Sequence, residues 1–581
     1  MRFSLLSILF GLGSVASVWG QTNTAEAFFA SESPIAKTGL LANIGPSGSK
    51  SSGAKSGVVI ASPSRSSPDY LYTWTRDSAL VFLAIVNQYT LGLDNSLRSQ
   101  IDNYVGAQKI QQQVSNPSGS VSSGGLGEPK FHIDLSAFTG GWGRPQRDGP
   151  GLRATTLITW AEFLLTQGNT SYVTNELWPI IKLDLDYVAS TWSQSGFDLW
   201  EEVNSSGSFF TTASHLRSLR QGIRLATAIG QTSVVSGYTT QVNAVLCYLQ
   251  TYWDSNGFVN SNKGGGRTGK DANSLIASNN LFDAAAGCDT TTFQPCSDRA
   301  LSNLLQYVDT FRSWAINSGI ATNQGIATGR YSEDSYYGGN PWYLTTLAVS
   351  EQLYNALTVW KAQGTIKVTA VSLPFFQRIS PSASVGEYAS GTATFTTLTT
   401  AVKTYADSFV SIVAKYTPSN GGLSEQYTKT TGAPTSATDL TWSYASVLTA
   451  LDAREGVIPA SWGAAGLTLP STCSNSGGGG TGGGGGATVA VTFKVSATTV
   501  WGESIFLTGS IAELANWSPD NALALNADNY PIWTVTVNIP ASATFQYKYI
   551  RKYNGVKWES DPNRQFTAPA SGSYVINDGW R

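Results

Sequence analysis

Histidine is almost missing from this chain: its 581 residues include only His132 and His215. Chemistry that depends on imidazole, whether a nucleophile–base relay or a multi-histidine metal centre, has little to work with. Charge is scarce as well. Lys, Arg, Asp and Glu make up 13% of the chain, about half the usual share of a soluble domain. The 36 basic residues nearly balance the 38 acidic ones, so there is no electrostatic footprint for nucleic acid or an anionic membrane. The four cysteines, Cys247, Cys288, Cys296 and Cys473, show no CxxC or Cys/His ligand spacing. A zinc site is therefore not expected, and no other metal or cofactor is called for. Beyond the N-terminus no apolar run is long enough to span a bilayer.

The N-terminus itself reads as a processing segment. Met1-Arg2 is a short basic start, Phe3 to Val18 is mostly apolar, and small residues precede a cut at Gln21. This pattern predicts a secretory signal peptide over 1–20 and an extracellular protein. An even number of cysteines in an exported chain favours two disulfides, with three connectivities open. Asn169, Asn204 and Asn516 begin glycosylation sequons. Asn169 is the site expected to carry a glycan, because one on Asn204 would crowd the acidic motif beside it.

Residues 474–487 read SNSGGGGTGGGGGA. Nothing there can bury apolar surface, so the segment is expected to be a flexible linker with a span of about 20 Å. The periodicity changes across it. Before it, Leu157, Trp160, Ala161, Leu164 and Leu165 form a helical stripe, as do Leu301, Leu304, Leu305, Val308 and Phe311. Leu344, Leu347 and Ala348 begin a third. The apolar run Leu80 to Val86 suits a helix buried on both sides. Residues 21–473 are thus expected to form an all-α domain of many helices. After the linker the period is two: Val489, Val491, Phe493, Val495; Trp533, Val535, Val537, Ile539; Phe545, Tyr547, Tyr549. Residues 488–581 read as a small all-β sandwich, with Trp533 in its core.

Two acidic stretches carry the chemistry. One is Phe197-Asp198-Leu199-Trp200-Glu201-Glu202-Val203-Asn204; the other is Leu423-Ser424-Glu425-Gln426-Tyr427. Both set carboxylates among aromatic and amide side chains. In a chain poor in histidine and rich in Trp and Tyr, they point to paired-carboxylate catalysis on a neutral, hydroxyl-rich substrate. Apolar Trp neighbours and the like charges of Asp198 and Glu202 are expected to favour a proton on Glu201, the acid. Donors beside Glu425, from Ser424, Gln426 and Tyr427, are expected to keep it ionised as the base.

Several segments sharpen this reading. Tyr70-Leu71-Tyr72-Thr73-Trp74-Thr75-Arg76-Asp77 resembles the segment that binds the terminal sugar in fungal glucoamylases, the family 15 glycoside hydrolases. Residues 139–150, residues 329–337 with Asn340-Pro341-Trp342, and Asp439-Leu440-Thr441-Trp442-Ser443-Tyr444 resemble further signatures of that family. With the two acidic motifs they follow family order over nearly all of 21–473. The resemblance implies a six-fold α/α barrel with a cleft at one end. It implies Glu201 as general acid and Glu425 as general base, on opposite faces of the scissile acetal with a water between. Arg76 and Asp77 would hold hydroxyls of the non-reducing-end glucose, and Arg330 would bind from the other side. Tyr70, Trp142 and Trp442 would form walls, and Trp142 would hydrogen-bond near the acid. Trp74, Leu199, Trp200, Glu202, Tyr331, Tyr336 and Gln426 complete the implied substrate-binding set.

The same resemblance implies the pairs Cys247–Cys473 and Cys288–Cys296. Residues 488–581 resemble a family 20 starch-binding module. Trp517, Lys548, Trp558 and Asn563 match its first sugar site, and Trp501, Asp528 and Tyr530 its second. Trp501 stands where tyrosine is common, Gln546 replaces a common glutamate, and the module's usual disulfide is absent. The implied activity is release of β-glucose, with inversion, from non-reducing ends of starch, amylopectin and maltodextrins, more slowly at α-1,6 links, by a monomer. The competing readings are an exo-glucosidase of other linkage preference and a starch-binding, lectin-like protein with a silent barrel.

Overall fold

A computed structural model of the protein describes residues 24–471, 473, 488–500, 502–519, 522–553 and 555–581. The segment read as a signal peptide, the linker 474–487 and Trp501 lie outside the described residues. The chain divides into two compact units, one helical and one built of strands.

Six helices form the inner ring of the helical unit. In chain order with their outer partners they are α1 (Thr24–Ala42, outer), α2 (Thr75–Thr90), α3 (Arg98–Gln111, outer), α4 (Asp148–Thr166), α5 (Trp178–Thr191, outer), α6 (Phe209–Ala228), α7 (Val235–Gln250, outer), α8 (Asn273–Asn280), α9 (Asp298–Asp309, outer), α10 (Tyr343–Gln363), α11 (Ala393–Tyr416, outer) and α12 (Thr441–Arg454). The even-numbered helices pack in a closed circle, α2 on α4, then α6, α8, α10, α12 and back to α2. This is the six-fold α/α barrel that the family motifs imply.

Sequence accounts for which helix goes where. α4 is buried almost throughout, including Leu157, Trp160, Ala161 and Leu164. It has one neighbour on each side in the ring and an outer helix behind it, so a single apolar stripe would not suffice. α9 buries Leu301, Leu304, Leu305 and Val308 and turns its charges outward, as an outer helix must; Ser297 caps it by accepting from the Ala300 N–H. Phe311 is buried too, but past the helix end. In α2, Leu80 and Leu83 face a cavity of about 150 Å³ on the barrel axis rather than a neighbour.

The β unit has nine strands among the described residues, numbered β1 (Thr488–Ser496), β2 (Ser504–Gly509), β3 (Leu523–Ala524), β4 (Asn526–Asn529), β5 (Ile532–Pro540), β6 (Thr544–Lys552), β7 (Val556–Trp558), β8 (Arg564–Thr567) and β9 (Ser573–Gly579). One sheet runs β3-β2-β6-β7, with β8 also pairing β6; the other runs β4-β5-β1-β9, with β9 parallel to β1. Val489, Val491, Phe493, Val495, Trp533, Ile539, Phe545, Tyr547 and Tyr549 meet in one core, the outcome that period-two alternation predicts. The Trp533 indole N–H donates to the Ala497 carbonyl.

Candidate active site

The inner helices present their N-terminal ends to a cleft of about 530 Å³. Arg76 and Asp77 enter from the first turn of α2, Trp442 from the first turn of α12, and Trp342 from the residue before α10. Two-residue ladders pin the loops between them. Thr73–Trp74 pairs with Lys130–Phe131. Gly196–Phe197 pairs with Asn204–Ser205 and closes the first acidic motif into a hairpin. Gln426–Tyr427 pairs with Pro434–Thr435 directly after Glu425.

Glu201 and Glu425, separated by more than two hundred residues of chain, line this one cleft. Glu201 has φ +68°, a left-handed backbone that few non-glycine residues adopt. Its carboxylate receives the Trp142 Nε1–H at 2.8 Å and Arg76 Nη2 at 3.1 Å. Arg76 is buried, with Nη1 on Gln146 at 2.7 Å and on Asp148 at 3.1 Å. Gly143 permits this arrangement: a Cβ there would lie 2.5 Å from the Glu201 carbonyl oxygen and 2.8 Å from the Phe197 ring.

Glu425 is 1% exposed. Ser436 Oγ and Gln426 Nε2 donate to its Oε2, the latter at 3.1 Å. Burial pushes it up to about 7, against the pull of Ser436, Arg330, Tyr70 and Gln426. Adjacent donors are expected to keep it ionised as the base, and burial outweighs their pull. Ser424 donates to the Gln426 carbonyl instead, and the Tyr427 hydroxyl pairs with Thr346. The like charges expected to act on Glu201 are also spoken for. Asp198 accepts the N–H groups of Glu202 and Val203 and pairs with Arg267. Glu202 takes Arg330 Nη2 at 2.7 Å and the Tyr331 hydroxyl at 2.6 Å.

The remaining residues implied by resemblance fall into two groups. Tyr70, Trp74, Arg76, Asp77, Trp142, Leu199, Trp200, Glu202, Arg330, Tyr336 and Trp442 line the cleft. Tyr331 and Gln426 do not; they bond to the carboxylates of Glu202 and Glu425 from behind. A supporting layer holds the walls. Arg330 makes a two-pronged pair with Asp334 at 2.8 and 2.6 Å. Trp200 donates to Asp271 at 2.8 Å, and burial raises Asp271 to about 6. The Tyr70 and Tyr336 hydroxyls meet at 2.7 Å. Sequence reading missed Ser436 and Lys130. Ser436 gave no signal; Lys130 gave a weak one, as an isolated cation among aromatics.

In the β unit, the Trp517 and Trp558 rings lie 6.3 Å apart. Lys548 is buried and donates to the Glu559 carbonyl at 3.3 Å and to Asp561 at 2.5 Å. Asn563 Nδ2 donates to Gln546 at 2.9 Å. Tyr530 is 52% exposed, and Asp528 bonds with Asn526. Both implied disulfides form, Cys247–Cys473 and Cys288–Cys296. Asn169 is exposed at the end of α4, and Asn204 lies exposed on the hairpin that carries Glu201.

The family model for "Glycosyl hydrolases family 15" matches residues 34–452. This chain belongs to that family. The family 15 domain is followed by a match to "Starch binding domain" over 488–577. Glucoamylase-1 of Schizophyllum commune is 62% identical over 99% of this chain and 98% of its own length. The glucoamylase of Neurospora crassa is 48% identical over 96% and 94%. Among solved structures, the family 15 glucoamylase of Hypocrea jecorina is 46% identical, with a TM-score of 0.76, covering 96% of this chain and all of its own. Among the described residues no helix is long and apolar enough to cross a membrane.

Proposed function

We propose that this glycoside hydrolase is a glucoamylase that removes glucose from non-reducing ends of starch and maltodextrins. The observation that carries the reading is that Glu201 and Glu425 line one cleft walled by Tyr70, Trp142, Trp342 and Trp442. Glu201 acts as general acid and gives its proton to the departing glycosidic oxygen. Glu425 acts as general base and takes a proton from water on the opposite face of the ring. Inversion at an α-linked carbon gives β-D-glucose. Trp142, on Glu201, aims the carboxyl, and Ser436 and Gln426 aim that of Glu425.

Arg76 and Asp77 bind hydroxyls of the terminal glucose, and Arg330 closes on it from the far wall. Their charges are buried and networked, so a sugar that fails to match leaves polar groups unpaired. The α-1,6 link places the leaving chain differently against the same walls, and its cleavage is slower. In the module, Trp517 and Trp558 stack on glucose rings with Lys548 and Asn563 beside them, and Asp528 and Tyr530 serve a second site. The protein is secreted as a monomer after loss of residues 1–20, with Asn169 glycosylated.

Anomer-resolved NMR of the first product from maltotetraose tests the mechanism. Initial β-glucose supports it; initial α-glucose rejects inversion. Glu425→Gln is expected to lose most turnover while still binding substrate.

A further inference from the structure

Lys130 is 3% exposed, yet its ammonium group meets rings rather than an anion. It lies 3.5 Å from the Trp142 ring centre, 4.0 Å from Tyr72, 4.4 Å from Phe138 and 4.8 Å from Trp74. Glu201 is paired with Arg76, and Glu128 with Arg144. The cage follows from local structure. Lys130 stands directly opposite Trp74 in the short ladder, and Tyr72, two residues earlier, points to the same side. Phe138 packs edge-on against both Tyr72 and Trp142.

Trp142 needs such a hold. It sits between Gly141 and Gly143 in an exposed loop, so its own neighbours in sequence offer no side chain to brace it. Its N–H is nonetheless 2.8 Å from Glu201. A cation on the face of an indole attracts the ring and draws electron density toward itself, which strengthens the N–H as a donor.

We propose that Lys130 is a positioning residue for the general acid: its ammonium group pins the face of Trp142 so that the indole N–H holds Glu201 in line with the departing oxygen. This rests on the reading of Glu201 as the acid. Burial pushes Lys130 down to about 8; Glu201 and Asp69 hold it up, and Arg144 presses it further down. His132 packs against Tyr72 and Phe138 at the edge of the cage.

The test compares Lys130→Met, Lys130→Arg and Glu201→Gln on maltose and on α-glucosyl fluoride, whose leaving group needs little protonation. Lys130→Met is expected to lower kcat on maltose about ten-fold, a part of the roughly 10²–10⁴-fold that general acid–base transfer supplies. KM should change little, and the loss on the fluoride should be much smaller. The indole N–H resonance of Trp142 should move in Lys130→Met and return toward its original place in Lys130→Arg, with part of the rate. Wild-type kcat and an unmoved resonance in Lys130→Met overturn the proposal, as do equal losses in both variants on both substrates. Glu201→Gln failing equally on both substrates would instead sink the acid assignment, and the Trp142 resonance would still report what Lys130 holds.

Discussion

Ser436 donates to Glu425 from a turn eleven residues downstream, and a donor to a carboxylate favours its ionised form. Its loss should push Glu425 above the value of about 7 that burial already imposes. A base works only when ionised, so Ser436→Ala should move the acid limb of kcat/KM to higher pH; an unmoved limb would detach Ser436 from the base. Gly143 makes a second residue-scale prediction. An alanine methyl there meets the Glu201 carbonyl oxygen and the Phe197 ring well inside contact distance. The loop must shift and carry Trp142 with it, and displacement of that order costs about 10²-fold in rate. Gly143→Ala should show that loss in kcat while its thermal unfolding midpoint stays near the wild type. At this scale the sequence was only half readable. The acidic motifs stood out, but the groups that neutralise Asp198 and Glu202 come from Arg267 and Arg330, far along the chain.

Between helices, the buried ion pair Arg153–Asp184 joins inner α4 to outer α5. It is two-pronged at 2.8 and 2.6 Å, with both residues buried. Removing one member leaves the other charged and uncompensated, at a cost of about 3–5 kcal/mol. Asp184→Asn should lower stability by that order in a denaturant titration; a loss under 1 kcal/mol would mean that water reaches the guanidinium. Element type was legible because the stripes of α4 and α9 repeat at helical spacing and those of β1, β5 and β6 at spacing two. Element ends were less so: Phe311 continues its stripe past the last turn of α9. Nor did the run Leu80 to Val86 disclose that two of its leucines face an axial cavity.

Across the whole molecule, burial raises Glu32, Glu351 and Glu425 to about 7, and Asp77, Asp271 and Asp452 to about 6. Folding favours the protonated forms of these groups. Their contribution is complete below the ordinary carboxylate range and is lost as pH rises through 6 to 7. His215, buried and pushed down to about 4, acts oppositely: it costs stability as pH falls from 6.5 toward 4. Six groups against one predict a higher unfolding midpoint near about pH 5 than near about pH 7.5, and a reversed order would refute it. The module supplies a prediction of its own. A binding module on granular starch raises local substrate concentration for the tethered enzyme. Deleting 488–581 should slow granule hydrolysis and spare soluble maltodextrins; equal loss on both would reject the tether.

The sequence by itself determined the division into a helical and a strand-built part, because hydrophobic period is a local property. Its motif order determined the family, because side chains that bind and cleave a sugar tolerate few substitutes. Only the tertiary structure decided how Glu425 ionises, what neutralises the acids beside Glu201, and what surrounds Lys130. Those outcomes depend on burial and on partners brought from distant segments, and neither desolvation nor a long-range contact is written in any short stretch of chain.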